Sequence, residues 1–390
     1  MKINRAYKFR LYPNNTQIKY IEGCFNACRY VYNISLDCEK QLYDLGANSN
    51  LSMMGLSKHL TVYKIKDEWL NKYDAHALAY EMENLSNAYK LFFDNVKKKK
   101  KGGYPHFKSK YDSKQSFRTR VGIEIFEDSI SIPKLKTKIK AVIHRQFEGV
   151  LKQFTISREN GKYYVSAMTE IEKDIIPVEI KKDVGIDLGV KSFITKYDSD
   201  NLYEKIDNPK FLATESKHLK VLQQKLSRCD KGSSNRKKLK LKISRIHEKI
   251  KNRRENFLHN VSKQLVDNYD CIYMEDLNVS GMTKSSKGTI EEPGKMVKQK
   301  SGLNRSILDV SMSKFEEMVE YKTKFSGKGL YKVNRFFASS KICNVCGTKN
   351  KDLKLSDRNW ICEHCGSELD RDENAANNIL NEGRMVKIKK

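Results

Sequence analysis

The chain has 390 residues, enough for two or three domains each with its own core. With 75 Lys and Arg against 48 Asp and Glu it carries a formal charge of +27, beyond what solubility requires, so the expected partner is a polyanion. No apolar run approaches the roughly 20 residues of a membrane span, and the opening MKINRAYKFRLY lacks the apolar stretch of a signal peptide, so a cytoplasmic, reducing setting is expected.

In residues 2–11, Ile3, Tyr7, Phe9 and Leu11 share one parity and Lys2, Asn4, Lys8 and Arg10 the other, which predicts a half-buried strand ended by Pro13 and Asn14-Asn15. Thr16 is the expected cap of a helix lined by Ile18, Ile21, Phe25, Cys28 and Tyr32. Cys24 and Cys28 lie one turn apart on that apolar face and read as buried thiols. Helical patterning runs to about Val96.

Between Lys97 and Arg120 ten basic residues and one acid are interleaved with Tyr104, Phe107, Tyr111 and Phe117. Cations for phosphates and rings for stacking are what a nucleic-acid groove uses. From about 121 to 170 the pattern turns to short strands, with Asn160-Gly161 as a two-residue hairpin signal. This β segment is expected to complete a barrel with the N-terminal strand, the helices between them being an insertion.

Residues 183–195 read as a buried strand, a glycine turn and a second strand. Two helices follow, joined near CDKGSS. Lys217 to Arg254 holds fifteen Lys or Arg and two acids, a second candidate for gripping a nucleic-acid backbone. CIYMEDL (271–277) reads as a strand, and residues 285–302 lack periodicity and read as a mobile loop. A helix near 313–325 and a strand near 330–336 come next.

Two motifs carry chemistry. Cys343-x-x-Cys346 and Cys362-x-x-Cys365 stand fifteen residues apart, within the range for tetrahedral Cys₄ zinc, and each pair is followed by a glycine, Gly347 or Gly366. Four thiolates close the coordination sphere, so a single Zn²⁺ there is structural; His364 reads as a surface residue. The second motif is a set of acids. Asp187 lies opposite the apolar parity of Val184, Ile186 and Leu188, Glu275 ends an apolar strand, and Asp372 opens the helix DENAANNIL. A mid-strand acid is costly unless paired or bound to a cation. Asp276 and Asp370 are the nearest competitors. Glu275 is favoured because Asp276 shares the core-facing parity of Met274, and Asp372 because it directly precedes the NAA helix. Together Asp187, Glu275 and Asp372 form the order Asp, Glu, Asp on strand, strand and helix, which is how RNase H-like nucleases gather carboxylates around two Mg²⁺. No G-x-x-x-x-G-K-[ST] phosphate loop occurs, so ATP-driven chemistry is unsupported.

At these residues the chain resembles the TnpB (OrfB) family of insertion-sequence RNA-guided nucleases, relatives of compact type V CRISPR effectors. FRLYPN (9–14), RYVYN (29–33), NAYKLFF, PHFKSK, GIDLG (185–189), NRRENFLHNVSKQL, MEDL (274–277), SSKICNVCG (339–347) and DRDENAANNI (370–379) occur in the family's order across essentially the whole chain. The resemblance implies a mixed α/β, multidomain fold: a wedge β-barrel (1–15 and 116–180) interrupted by a helical recognition insertion (16–115), then a RuvC-type RNase H-like domain (181–342 and 367–390) carrying an inserted zinc ribbon (343–366). It also implies RNA-guided cleavage of double-stranded DNA beside a short transposon-adjacent motif. Asp187, Glu275 and Asp372 would hold two catalytic Mg²⁺, and Cys343, Cys346, Cys362 and Cys365 one Zn²⁺. The implied partners are a guide RNA from the element's end and the target DNA, with a monomer on one RNA. A nuclease-inactive RNA-guided repressor and an accessory transposase protein are the alternatives.

Overall fold

The alternating N-terminal segment forms β1 (Lys2–Tyr12), with Ile3, Tyr7, Phe9 and Leu11 all buried as the parity predicts. A computed structural model of the chain describes every residue except 48, 101, 113, 290, 355, 356, 389 and 390. Its packing divides the chain into two units, Met1–Lys173 and Asp174–Lys390.

In the first unit, β1 leads into α1 (Asn15–Asp44). The cap is Asn14 rather than Thr16. Asn14 Oδ1 accepts from Gln17 N and Gln17 Oε1 accepts from Asn14 N, both at 2.9 Å, a reciprocal box that Thr16, one position inside the helix, cannot make. After α1 come α2 (Met53–Lys66), a single 3₁₀ turn and α3 (Ala75–Lys97). The strands then follow: β2 (Lys114–Thr119), β3 (Glu124–Ile125), β4 (Ser129–Ser131), β5 (Ile139–Val142), β6 (Val150–Glu159) and β7 (Lys162–Glu172). Asn160 and Gly161 both take positive φ, +53° and +75°, as the β6–β7 hairpin demands.

These strands form one sheet in the order β2-β6-β7-β1-β5-β4-β3, so β1 sits mid-sheet between partners more than a hundred residues away. The pairings among the described residues leave β2 and β3 as edges, giving a curled open sheet rather than a ring of strands. Phe9, Leu11, Phe154, Ile156 and Val165 of the sheet share one core with Ile21, Val31, Leu36, Leu78 and Met82 of the helices. Cys24 and Cys28 belong to that core, and burial pushes both thiols up, Cys24 to about 12.

The basic aromatic run divides. Phe117 is buried against Phe25 in the core, and the half-buried Tyr104 packs against that core, on Phe92, and shares a 2.8 Å hydroxyl hydrogen bond with Tyr89. Phe107 and Tyr111 remain exposed. Lys101 of that run lies outside the described residues.

The second unit opens with β8 (Asp183–Leu188), β9 (Ser192–Asp198) and β10 (Tyr203–Asp207), then the arm α4 (Phe211–Ser227) and α5 (Ser234–Asn268). Leu219 and Leu222 of α4 and Ile250, Leu258, Val261 and Leu265 of α5 are buried, and most of the basic residues between them face outward. Next are β11 (Cys271–Glu275), the short α6 (Val279–Met282), α7 (Val297–Val310), α8 (Met312–Phe325) and β12 (Gly329–Val333). The expected loop at 285–302 is therefore helical from Val297. Only Ile307 and Val310 of α7 are buried, too few to leave a periodic signal. The remaining elements are β13 (Asn359–Ile361), β14 (Glu368–Asp370) and α9 (Arg371–Ile388).

The larger sheet has the order β10-β9-β8-β11-β12, with β8, β11 and β12 parallel and β9 and β10 antiparallel to their neighbours. Helix α9 lies across it. A Cβ on Gly185 of β8 would sit 2.3 Å from Ala376 O and 2.5 Å from Leu380 N, so the absence of a side chain lets α9 rest directly on the strand. The buried Asp183 pairs with the partly exposed Arg384, Nη2 to Oδ1 at 2.7 Å, and pins the helix further along. No helix among the described residues is long and apolar enough to cross a membrane.

Candidate active site and metal centre

Three elements of the second unit bring the acids to one cleft. Asp187 is the penultimate residue of β8 and Glu275 the last of β11, both at the C-terminal ends of adjacent parallel strands. Asp372 lies in the first turn of α9, which the Gly185 contact holds against β8. Together with Ser339, Arg358 and Arg371 they line a cavity of about 360 Å³.

The competing acids go elsewhere. Asp276 is ion-paired with Arg335. Asp370 Oδ1 accepts from Asp372 N at 2.9 Å and Glu373 N at 3.0 Å, which makes Asp370 the cap of α9. Although partly desolvated, its carboxyl is held below the usual range by those amides and by Lys205. With its oxygens so used, Asp370 leaves Asp372 to face the cavity.

Desolvation, and then the charges of Glu275 and Asp372, push the Asp187 carboxyl up to about 7, against the opposing pull of Arg371 and the Leu188 amide. Glu275 is raised by burial, partly offset by Ser339 Oγ, which donates to Glu275 Oε1 at 2.5 Å. Crowded carboxylates that resist ionisation are the donor set a hard cation relieves. Asp372 already has cationic neighbours, Arg358 Nη1 at 3.1 Å and Lys205 Nζ at 3.8 Å.

Four residues around these acids escape a reading of the sequence. Ser339 belongs to a loop fixed by Asn374 and Asn378, whose amides donate to Ser339 O at 3.3 and 2.8 Å and to Ile342 O at 2.7 and 2.6 Å. Asn374 and Asn378, both buried and one turn apart in a helix, were the available signal. Arg358, Arg371 and Lys205 are three cations in a chain with 75, and nothing in spacing distinguishes them.

The four cysteines form the second constellation. Among the described residues they are the group whose ligand atoms all lie within 4.8 Å of one another. Cys343 N donates to Thr348 O and Gly347 N to Cys343 O, and the second pair repeats this with Cys362 N to Ser367 O and Gly366 N to Cys362 O, all at 2.8–2.9 Å. Gly347 and Gly366 take φ of +76° and +70°, the turn each knuckle needs. Sγ separations are 3.7 Å for Cys343–Cys365 and 3.6 Å for Cys346–Cys362. Tetrahedral Zn–S bonds of about 2.3 Å require edges of roughly 3.8 Å, so the donor set fits a structural zinc. Hydrogen bonds from Thr348 draw the Cys346 thiol down to about 5, and Ser367 lowers Cys365, both favouring the thiolate a metal binds. Trp360 and Leu353 fill the small core beneath, and His364 is exposed as expected.

Residues 166–286 match a family described as "Probable transposase", residues 313–379 one described as "Cas12f1-like, TNB domain", and residues 1–47 one described as "Helix-turn-helix domain". In this chain that last stretch folds as β1 and the single helix α1. The chain is 33% identical over 99% of its length, and 94% of the relative's, to "Putative RNA-guided DNA endonuclease InsQ" of Escherichia coli (strain K12). It is 32% identical over 98% of its length, and 90% of the relative's, to "Putative RNA-guided DNA endonuclease" of Streptomyces pristinaespiralis. A solved structure described as "Structure of the mini-RNA-guided endonuclease CRISPR-Cas_phi3" shares its fold at a TM-score of 0.57 and 11% identity, covering 100% of this chain and 93% of that one.

Proposed function

Because the chain belongs to the TnpB (OrfB) family of insertion-sequence RNA-guided nucleases, we propose that it is an RNA-guided endonuclease that hydrolyses double-stranded DNA beside a short transposon-adjacent motif. The observation that carries the reading is the shared cleft of Asp187, Glu275 and Asp372, drawn from β8, β11 and α9. The strand order β10-β9-β8-β11-β12 with α9 across it supports a RuvC-type, RNase H-like assignment for 181–342 and 367–390. On the same reading, 1–15 and 116–180 form the wedge, 16–115 the recognition insertion and 343–366 the zinc ribbon.

In this mechanism the carboxylates of Asp187, Glu275 and Asp372 would hold two Mg²⁺, which would supply an activated water and charge neutralisation at the phosphodiester. Ser339 orients Glu275 through its hydroxyl, and the Asn374–Asn378 pair fixes the loop that carries Ser339. Arg358 and Arg371, on the cavity wall, are cations for the phosphate oxygens. Hydrolysis leaves a 5′-phosphate and a 3′-hydroxyl. The guide RNA, transcribed from the element's end, reads sequence by pairing, with one protein monomer per RNA. Duplex opening then requires no ATP, since exchange for the heteroduplex is nearly balanced. A repressor that only binds, or an accessory transposase protein, would have no use for three mutually repelling acids in one cleft.

Sequencing the RNA that copurifies with the protein tests this reading. A discrete RNA ending in a variable guide supports it; random cellular RNA, or none, contradicts it.

A further inference from the structure

The first unit holds a second polar cleft, of about 230 Å³, between the outer face of α1 and the turn leading into β2. Its floor is the buried ring of Phe25, with the Arg158 guanidinium 6.0 Å above the ring centroid. Glu22, the acid within it, is fully engaged: Oε2 accepts from Arg158 at 2.6 Å and Oε1 from the Tyr163 hydroxyl at 2.8 Å. The cleft therefore presents no unpaired negative charge.

Its hydrogen-bonding groups are only partly used. Arg29 Nη2 donates to Asn26 Oδ1 at 2.8 Å, leaving the Asn26 amide hydrogens and the rest of the guanidinium available among the described residues. Gln115 spends its Nε2 on Ser109 O and Asp112 O, while its Oε1 accepts from no described residue. At the lip stands Tyr111, a residue 84% exposed. The turn that carries it is built: Tyr111 N donates to Ser109 Oγ at 3.1 Å and Ser109 N to Asp112 Oδ2 at 3.2 Å. Lys110 Nζ lies 5.1 Å from the ring, and neither Lys110 nor Arg29 forms an ion pair among the described residues.

An apolar floor, edge donors beside an acceptor, an exposed ring and two unpaired cations are complementary to one planar heteroaromatic base and its phosphate. We propose that this cleft takes an unpaired nucleobase of the bound RNA, stacked on Tyr111 with its edge toward Asn26, Arg29 and Gln115. The proposal rests on the RNA partner argued above. RNA is favoured over DNA because a folded RNA offers unstacked bases in the bound state, whereas the DNA target strand is paired as duplex or heteroduplex, and its displaced complement is the DNA source that the test separates.

The test uses the full chain with the copurifying RNA, transcribed and end-labelled, titrated across a salt series. Tyr111→Ala should weaken binding about tenfold at every salt concentration, because stacking carries no counterion release. Lys110→Gln should instead lower the salt slope by about 0.7, the single-strand value for one phosphate contact. Ultraviolet crosslinking of the wild-type complex should leave a nucleotide adduct on the Lys110-Tyr111 peptide. Because Tyr111 is exposed, Tyr111→Ala should melt at the wild-type temperature. Unchanged affinity for Tyr111→Ala, or no adduct at Tyr111 in a protein that does bind RNA, overturns the pocket alone. Failure of the wild type to bind any RNA overturns the partner as well. An equal loss on a single-stranded DNA of the same sequence, with RNA binding unaffected, would assign the cleft to a displaced DNA strand and overturn the proposal.

Discussion

Arg358 Nη1 lies 3.1 Å from Asp372 Oδ1, so a side chain rooted between the two cysteine pairs neutralises an acid at the start of α9. The main chain repeats the tie, Arg371 N donating to Arg358 O at 2.7 Å. The cysteine ribbon is thus a support for the acidic cleft: β13 pairs with β14, and β14 runs straight into α9.

Arg358→Ala should lower the cleavage rate about 100-fold, the scale of removing one preorganised cation or donor from developing charge. Arg358→Lys should recover only part of it, since a single ammonium cannot reproduce the planar fork. Single-turnover cleavage with saturating guide RNA measures both.

Cys346→Ser, or stripping zinc with a strong chelator, should unfold the ribbon and with it the Arg358–Asp372 contact. The expected result is loss of cleavage, with zinc content falling from one per chain and guide-RNA binding largely retained. Metal analysis alongside a cleavage assay checks it.

Gly185→Ala should destabilise the second unit by about 3 kcal/mol, because the added methyl meets the α9 backbone at Ala376 and Leu380 and neither side is a flexible side chain. Denaturant unfolding of the full chain gives the number.

A carboxyl raised to about 7 in the folded protein makes a definite pH signature. Between the ordinary carboxylate pKa near 4 and pH 7, the folded state retains a proton that the unfolded state has lost. This group's contribution therefore destabilises the fold progressively as pH rises through that window. In Mg²⁺-free buffer with zinc retained, Asp187→Asn should flatten the decline in melting temperature over that range and be more stable than wild type at pH 8. Added Mg²⁺ should stabilise the wild type at pH 8 and leave Asp187→Asn nearly unmoved.

Much of this was legible in residue order. The parity of Ile3 to Leu11, the Asn160-Gly161 turn and the doubled Cys-x-x-Cys each report a local constraint that one segment satisfies alone. Asp187 and Glu275 were legible because a strand's alternation tells which side chain leaves the core. What was hidden depends on partners distant in sequence. Phe117 looks like a stacking ring until Phe25 covers it, and Tyr104 until Tyr89 and Phe92 pack against it and half-bury it. Asn14 outcompetes Thr16 because Gln17 stands where it can close the box on Asn14. Helix α7 is mostly solvent-exposed, so its sequence carries no period to read. Arg358 becomes distinctive only once the ribbon returns it to Asp372.

The most direct test of the account is cleavage of a target plasmid by Asp187→Ala carrying the native guide RNA. The account predicts a rate reduced on the order of 10⁴-fold, with guide-RNA affinity and target binding intact. Undiminished Mg²⁺-dependent cleavage by that variant would contradict it.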